Sequence, residues 1–300
     1  MQKIAGLQEK EKIVFIINPV SGASRHSNPE EIIRNNIDTR IFQPVINKTR
    51  YRGHASNITR KWVKKGAVKI VAVGGDGTVN EIASVLVGTK CLLGIIPNGS
   101  GNGLARYLKI PSEPVEAVKL LNRSKSKKID VGKINKHLFF CTCGIGFDAH
   151  IGKMFDRNIE RGFKNYVRIV LREFFTYRSK IYNFEVDGKK YAEKAFLLTF
   201  ANAGQYGSDA YISPDAKIDD GLLDICVFRP FPKFKSLFLG LRLFNRTIDR
   251  SKYLQVIRGR KIKVIRKKKT NVHIDGEPIK LKKNLKIKIL PKALRVMVSS

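Results

Sequence analysis

The chain has 300 residues, enough for one large or two medium domains with a substantial hydrophobic core. Hydrophobic residues make up 43% of it and charged residues 28%, a composition that excludes an intrinsically disordered protein. Lysine and arginine number 58 against 25 aspartate and glutamate residues, which gives a formal net charge of +33. Such a charge either serves solubility alone or attracts a polyanion, namely nucleic acid or an anionic membrane surface.

The cysteines and the apolar runs bear on the cellular compartment. Cys91, Cys141, Cys143 and Cys226 show no zinc-like spacing, and we expect them to be reduced core residues. The first residues mix acids and bases before a short apolar run, unlike a signal peptide. No apolar stretch approaches the roughly 20 residues that a membrane span needs. We therefore expect a cytoplasmic protein that associates peripherally with the inner face of the membrane.

The first half of the chain alternates predicted strands with predicted helices. Short β-branched apolar runs predict buried strands, and apolar residues at helical spacing predict amphipathic helices. The strands are expected at 13–19, 68–75 and 91–96, and the helices at 53–66, 78–88 and 113–122, with another helix that begins near Asn102. This alternation indicates a parallel α/β sheet with right-handed crossovers.

From residue 124 onward the sequence is mostly strand-like. Apolar or alternating runs such as HLFFCTCGIGF and KAFLLTFANA are separated by turn signals, among them Asp187-Gly188 and Asp220-Gly221. Two helical segments interrupt them, one from Phe163 to Phe174 and one at 233–244. The second half therefore predicts a mainly antiparallel β domain, a sandwich.

Glycine-rich loops follow the predicted parallel strands. They are NPVSG (18–22), GGDGT (74–78) and NGSGNG (98–103). Glycine lets backbone N–H groups approach a phosphate, and a helix N-terminus adds partial positive charge. One such loop could equally be a plain tight turn, but three at corresponding strand ends predict a nucleotide site at the carboxyl edge of the sheet. None has the Walker A or the GxGxxG form, which disfavours a P-loop NTPase or an ordinary dehydrogenase.

Asp76 is the unusual residue of the second loop. A carboxylate beside a triphosphate is repelled unless it meets a metal ion or handles a proton. Its position therefore favours Mg²⁺-dependent phosphoryl transfer over passive nucleotide binding. The alternative is that Asp76 only caps the following helix, with Thr78 as another candidate cap or phosphate donor.

These motifs resemble those of the diacylglycerol kinase catalytic-domain family, which includes bacterial soluble lipid kinases and the related sphingosine and ceramide kinases. The resemblance rests on GGDGTVNE with its flanking loops and spans nearly the whole chain. It continues through TRYRGHA (49–55), GIGFDAHI (144–151), SPDAKIDDGLLDICVF (213–228) and HIDGEPI (273–279). It implies an ATP-binding α/β domain over 1–128, like that of phosphofructokinase and NAD kinase, to which segment 288–300 returns. It also implies an antiparallel β-sandwich domain for the lipid substrate over 129–287.

The resemblance also implies roles for individual residues. Those implied to contact ATP are Asn18, Thr49, Gly75, Asp76, Gly77, Thr78, Val79, Asn80, Glu81 and Ser100. Asp220 matches a structural Mg²⁺ ligand, completed by the backbone carbonyls of Lys217 and Leu222. Glu277 matches the general base that deprotonates the lipid hydroxyl, with Asp275 as the alternative, and Asp76 would organise metal and phosphate. Gly103 stands where many bacterial members have aspartate, a departure that leaves the lipid acceptor open.

We therefore expect an ATP- and Mg²⁺-dependent kinase of a membrane-lipid primary hydroxyl. Diacylglycerol is the first expectation, and a sphingoid base or ceramide is the alternative. A NAD kinase shares the GGDGT loop, while the charge alone prompts a basic nucleic-acid-binding α/β protein. No RNA-binding signature appears, so we expect no nucleic acid partner, and a homodimer stays open.

Two basic segments are candidates for contact with an anionic membrane. Segment 251–287 holds much of the basic charge around Glu277, including Lys267, Lys268, Lys269, Lys280, Lys282 and Lys283. Segment 233–246, KFKSLFLGLRLFNR, mixes apolar and basic residues. This composition suits an interfacial helix or a core helix with a solvated basic edge, and the sequence does not decide between them.

Overall fold

The computed structural model describes residues 10–21, 28–156, 163–207, 209–266, 269–281 and 284–299. Gly22 of the first glycine loop lies outside these residues, as do Lys267, Lys268, Lys282 and Lys283 of the basic segment. Contacts divide the described chain into two units. The first holds residues up to 100, residues 108–127 and residues from 294 onward; the second holds residues 101–107 and 128–293.

The helices and strands follow in chain order. Up to residue 122 they are β1 (Glu11–Ile17), α1 (Pro29–Asn36), β2 (Phe42–Lys48), α2 (His54–Lys64), β3 (Lys69–Gly74), α3 (Asp76–Leu86), β4 (Leu92–Pro97), α4 (Gly103–Tyr107) and α5 (Pro114–Asn122). Then come β5 (Lys125–Ile134), β6 (His137–Phe139), β7 (Thr142–Gly146), α6 (Phe147–Asp156), α7 (Phe163–Thr176), β8 (Lys180–Val186), β9 (Lys189–Ala195), β10 (Leu197–Ala201), β11 (Gln205–Gly207) and β12 (Ala210–Tyr211). The last are β13 (Leu223–Phe228), α8 (Ser236–Phe244), β14 (Leu254–Gly259), β15 (Lys261–Ile265), β16 (Thr270–Ile274), β17 (Glu277–Leu281) and β18 (Leu285–Val298), with short 3₁₀ turns at 233–235 and 248–250.

The first unit is built on a parallel sheet, which confirms the predicted α/β class. Its strands lie in the order β2-β1-β3-β4, and the end of β18 pairs in parallel with β4. Residues 13–17 of β1 are almost fully buried, as expected for a parallel strand that is covered on both faces. The apolar runs of β1, β3 and β4 therefore carried enough information to place them.

Two elements of the first unit have no strong sequence signal. β2 is an edge strand with mostly half-buried residues and a proline at position 44, so it lacks a continuous apolar run. α1 buries only Ile33 among its residues, and it is begun by Asn28, whose side chain accepts from the N–H of Glu30, and by Pro29. Local caps and edge pairing, more than periodicity, account for these elements.

The second unit contains the predicted antiparallel sandwich. One sheet has the strand order β14-β13-β10-β7-β16-β17, and a second joins β15 to β8, β9 and the beginning of β18. A single apolar cluster holds the two sheets together, with Phe139, Phe184, Phe200, Ile225 and Leu285 among its fully buried members. Aromatic-rich clusters pack α6, α7 and α8 onto this sandwich.

The four cysteines lie in the core, as the sequence predicts. All four cysteines are buried free thiols, and burial raises the pKa of Cys91 to about 11. Among the helices that the structure describes, none combines the length and the apolar character needed to cross a bilayer.

Candidate active site

The glycine loops of the first unit meet at one edge of its sheet. The strand registers align Ile17 with Lys48 and with Val73, and Gly74 with Pro97. Asn18, Thr49, Gly75 and Asn98 are therefore the residues that directly follow β1, β2, β3 and β4 at that edge. Parallel strands in α/β sheets present their ligand-binding loops at this carboxyl edge.

Side chains join these loops to one another. The Nδ2 of Asn18 donates to Oγ1 of Thr78 at 3.1 Å, and the Nδ2 of Asn98 donates to the carbonyl of Ser21 at 2.9 Å. Ser21 in turn donates its hydroxyl to the carbonyl of Asn18 at 2.8 Å. Asn18 and Asn98, which directly follow β1 and β4, thus connect the three loops to one another.

The start of α3 has the geometry of an anion site. Its N-cap is Gly75, which provides no side-chain hydrogen bond to the first turn, and Asp76 is its first helical residue. The backbone N–H groups and the helix dipole of this first turn favour an anion. Thr78 does not cap the helix, because it lies in the turn that follows Gly75 and its buried hydroxyl accepts from Asn18. The alternative in which Asp76 or Thr78 is the N-cap of α3 is therefore wrong.

Glu81 has a positioning role in this edge. Its Oε1 accepts from the N–H of Gly53 at 2.8 Å, and its carbonyl accepts from the hydroxyl of Ser56 at 3.0 Å. The first bond ties the loop after Thr49, which carries the exposed Arg50, to α3, and the second ties α2 to α3. The Gly53–Glu81 bond thereby joins the TRYRGHA motif to the GGDGTVNE motif.

The other predicted nucleotide contacts differ in exposure. Val79 is buried, so only its backbone could meet a ligand, and its N–H already donates to the carbonyl of Gly75 at 3.1 Å. Asn80 is half-buried, with Oδ1 accepting from Ser84 at 3.3 Å. Gly77, in the first turn of α3, and Ser100, in the loop after β4, are exposed, so a ligand can reach them.

In the second unit, the IDGEP segment forms the tight hairpin turn that its sequence predicts. Asp275 and Gly276 have φ values of +46° and +86°, and Ile274 pairs with Glu277 across the turn. Two residues of positive φ define the type I′ turn that suits an Asp-Gly pair. Glu277 is exposed at the first position of β17.

Asp275 anchors this turn through its carboxylate. Oδ2 accepts from the N–H of Phe140 at 2.9 Å, and Oδ1 accepts from the N–H groups of Cys141 and Thr142 at 2.8 and 3.1 Å. Its own N–H donates to the carbonyl of Thr142 at 2.8 Å. Asp275 is thus engaged in holding the turn, whereas Glu277 is exposed beside it.

We expect Asp275→Asn to destabilise the protein, because the amide keeps one acceptor oxygen where the carboxylate offers two. Losing a hydrogen bond to a charged group costs about 1.5–3 kcal/mol. The melting temperature followed by circular dichroism should fall by several degrees relative to Asp215→Asn, which changes an exposed aspartate. Equal melting temperatures of the two variants would show that the anchor contributes nothing.

His273, on the first strand of the same hairpin, belongs to a polar cluster. His273 Nε2 is 2.9 Å from Oδ2 of Asp148, Thr199 donates its hydroxyl to the same oxygen at 2.9 Å, and the Tyr206 hydroxyl lies 2.8 Å from that of Thr199. A Cβ at position 144 would lie only 2.7 Å from His273 Nε2, so Gly144 makes room for this contact. The cluster thus joins the GIGFDAHI and HIDGEPI motifs.

The sequence did not predict this cluster. Asp148 and His273 are 125 residues apart, so no local spacing relates them, although each stands in one of the quoted motifs. Burial, with the carboxylates of Asp275 and Asp148 nearby, raises the pKa of the Cys143 thiol well above its usual value. Cys143 is therefore an unreactive core thiol beside the cluster.

The loop that carries Asp220 joins β12 of a two-stranded sheet to β13 of the six-stranded sheet, so it is not a hairpin turn. Oδ1 of the exposed Asp220 accepts from the N–H of Leu222 at 2.9 Å, and Gly221 adopts a φ of +75°. The N–H of Gly221 donates to Oδ2 of Asp130 at 2.6 Å, and that fully buried carboxylate also accepts from the N–H of Lys292 at 2.6 Å. Buried Asp130 therefore holds this loop in place.

The chain matches two protein-family models. Residues 12–134 match the diacylglycerol kinase catalytic domain, and residues 141–298 match the YegS C-terminal NAD kinase beta sandwich-like domain. A Chromohalobacter salexigens protein named "Probable lipid kinase YegS-like" is 30% identical and covers 81% of this chain and 79% of its own length. A "Diacylglycerol kinase" of Mycobacterium tuberculosis is 31% identical over 61% of this chain and 62% of its own length.

The fold also matches a solved structure. A diacylglycerol kinase from Bacillus anthracis str. Sterne aligns with a TM-score of 0.73 at 22% identity and covers 98% of both chains. At this identity the likeness shows the fold alone. It confirms the predicted pairing of a parallel-sheet domain with an antiparallel β domain.

Proposed function

The chain belongs to the lipid kinase family that joins a diacylglycerol kinase catalytic domain to a YegS-type C-terminal domain, and from that membership we propose that it phosphorylates the primary hydroxyl of diacylglycerol with ATP. The observation that carries the proposal is the joined glycine loops at the carboxyl edge of the sheet, with the N-terminus of α3 among them. Such an edge binds phosphates through backbone N–H groups and the helix dipole.

The residues of this edge would have separate roles in binding ATP and Mg²⁺. The amides of Gly75, Gly77 and Thr78 would hold the phosphates and stabilise the charge that develops during transfer. Exposed Arg50, which follows Thr49 after the end of β2, adds positive charge. Asp76, at the first position of α3, would hold the Mg²⁺ that accompanies the triphosphate, since a carboxylate there is otherwise repelled by the phosphates.

A second, structural Mg²⁺ would sit at the Asp220 loop. The donors are the carboxylate of Asp220 and the backbone carbonyls of Lys217 and Leu222, and hard oxygen donors suit Mg²⁺. Fully buried Asp130 beneath the loop is a further negative charge that a nearby cation would compensate. Among the described residues, no group of three or more His, Cys, Asp or Glu side chains is placed to hold a metal ion. The Asp220 site does not need such a group, because two of its three ligands would be backbone carbonyls.

We expect Mg²⁺ to raise the melting temperature of the nucleotide-free protein, because a ligand that binds only the folded state stabilises it by mass action. Asp220→Ala should lose most of this rise. Asp215→Ala, which removes an exposed aspartate from the same loop, should keep it. Differential scanning calorimetry with and without Mg²⁺ checks this; an equal rise for Asp220→Ala and wild type would remove Asp220 from the metal site.

The chemical step would be an in-line displacement. The lipid hydroxyl oxygen attacks the γ-phosphorus, the bond from that phosphorus to the β–γ bridging oxygen breaks, and ADP leaves. Glu277 would take the proton of the hydroxyl, since it is exposed on a turn that the Asp275 anchor holds rigid. Because this substrate resides in a bilayer, we propose that the protein works peripherally at the inner face of the membrane.

A lipid panel tests the substrate. The purified protein is incubated with γ-labelled ATP, Mg²⁺ and detergent micelles that contain diacylglycerol, sphingosine or ceramide, and the extracted lipids are separated. We expect phosphatidate as the labelled product. Label only in sphingosine phosphate or ceramide phosphate would move the assignment to the sphingoid branch, which the glycine at position 103 had left open.

A further inference from the structure

The apolar face of α8 points outward. Phe234, in the turn that precedes α8, is 81% exposed, and Leu237 and Phe238 are 75% and 56% exposed. Leu241 and Phe244, one and two turns further on, are 53% and 50% exposed. Single exposed apolar side chains are normal, but five on one helical stretch make a continuous patch that calls for an occupant.

The other side of the helix attaches it to the second unit. Leu239 is buried in a cluster with Ile248, Leu254 and Phe228, and Leu243 packs against the same cluster. The helix therefore has two apolar sides, of which one is satisfied by the sandwich and the other faces solvent.

Basic side chains border this patch. Six of the residues from 233 to 252 are lysine or arginine, and the one acidic residue is Asp249. A groove of about 560 Å³ lies beside α8. Its wall combines the aromatic rings of Phe234, Phe238 and Tyr253 with the cationic groups of Lys235, Arg242, Arg250 and Lys252.

Cations and rings of the groove lie within cation–π distance of each other. The Arg242 guanidinium lies 4.7 Å from the ring centre of Phe238, and Lys235 Nζ lies 5.9 Å from that of Phe234 and 5.7 Å from that of Tyr253. Apolar rings next to charged groups match the boundary of a bilayer, where acyl chains lie directly beneath headgroups.

We propose that the α8 surface, defined as the exposed apolar residues of 234–244 with Lys235, Arg242, Arg250 and Lys252, docks on an anionic phospholipid bilayer. The five apolar side chains enter the acyl boundary and the four cations contact lipid phosphates. Charge complementarity selects this occupant, because a second copy of the same surface would bring like charges together. The inference rests on the proposed function for its biological purpose, though the binding itself needs no catalysis.

Vesicle sedimentation without nucleotide tests the surface. Vesicles of phosphatidylcholine mixed with phosphatidylglycerol should bind wild type, and vesicles of phosphatidylcholine alone should bind it weakly. Leu237→Glu/Phe238→Glu should lower the partition coefficient at least about tenfold. Arg250→Gln/Lys252→Gln should lower it about fivefold for each cation removed, and added salt should have the same effect.

Matched variants serve as controls outside the α8 surface. Ile181→Glu changes another exposed apolar residue, and Lys190→Gln/Lys194→Gln removes two exposed lysines of β9. Both should bind like wild type. Equal vesicle binding by Leu237→Glu/Phe238→Glu and Ile181→Glu would overturn the proposal. So would an equal loss of binding in Arg250→Gln/Lys252→Gln and Lys190→Gln/Lys194→Gln.

Two further readouts separate the alternatives. Sedimentation velocity reports whether wild type is a dimer that Leu237→Glu/Phe238→Glu dissociates; a dimer of this kind, with no vesicle binding, would assign the surface to a second copy and overturn the proposal. Kinase activity on short-chain diacylglycerol in detergent should be unchanged in the α8 variants and reduced on vesicles. If no lipid is phosphorylated while vesicle binding keeps the predicted pattern, the proposed function fails and the docking surface stands.

Discussion

Glu277→Gln is expected to lower the rate of lipid phosphorylation by about 10²–10⁴-fold, the usual contribution of a general base. The amide is nearly isosteric with the carboxylate but takes up a proton poorly, and the side chain is exposed, so the fold should not change. ATP affinity should stay as in wild type, because Glu277 is not among the residues expected to contact ATP. The rate is measured on short-chain diacylglycerol at saturating ATP, and the affinity by calorimetry.

Glu31→Gln is the matched control for this change, since it neutralises another exposed glutamate. It should leave both quantities unaltered. A Glu277→Gln protein that keeps more than about a tenth of the wild-type rate with unchanged ATP affinity would mean that another group accepts the proton.

Asp76→Asn is expected to reduce activity at least about 10²-fold, because positioning and neutralising the phosphates supply most of the catalysis in phosphoryl transfer. The melting temperature should change little, since the helix is capped by Gly75 and an acid in a first turn contributes only about 0.3–1 kcal/mol. Steady-state kinetics over a range of Mg²⁺ concentrations, together with a thermal melt, checks both expectations.

Glu116→Gln removes an acid from the first turn of α5 in the same way and serves as the control. It should match Asp76→Asn in stability and wild type in activity. An Asp76→Asn enzyme with wild-type turnover would limit this carboxylate to a structural part in the first turn of α3.

The glycine-loop edge of the first unit could be predicted from sequence because its signals are local. A buried β-branched run followed by glycine and a helical pattern indicates where a parallel strand ends, and parallel strands end at the same edge. Asn18, Gly75 and Asn98 accordingly lie at that edge, as the strand registers show. The bond from Asn18 to Thr78 refines the prediction, because it replaces a capping role with a role in joining loops.

Features that depend on distant residues could not be predicted. No spacing rule relates Asp148 to His273, or Asp275 to the N–H groups of residues 140–142, since these pairs form only when the sandwich folds. The orientation of α8 was undecided for a different reason: apolar residues occupy both sides of the helix, and composition does not say which side the sandwich covers. Burial of Leu239 and exposure of Phe238 decide it.

The central claim, that the γ-phosphate of ATP goes to a lipid hydroxyl, is tested most directly by competition between two acceptors. The protein is incubated with γ-labelled ATP and Mg²⁺ in the presence of both diacylglycerol micelles and NAD, and the mixture is extracted with organic solvent. We predict that the label enters the organic phase as phosphatidate, and that the Glu277→Gln protein leaves that phase unlabelled over the same time. Label that stays in the aqueous phase on NAD, or as inorganic phosphate alone, would contradict the proposed transfer to a lipid hydroxyl.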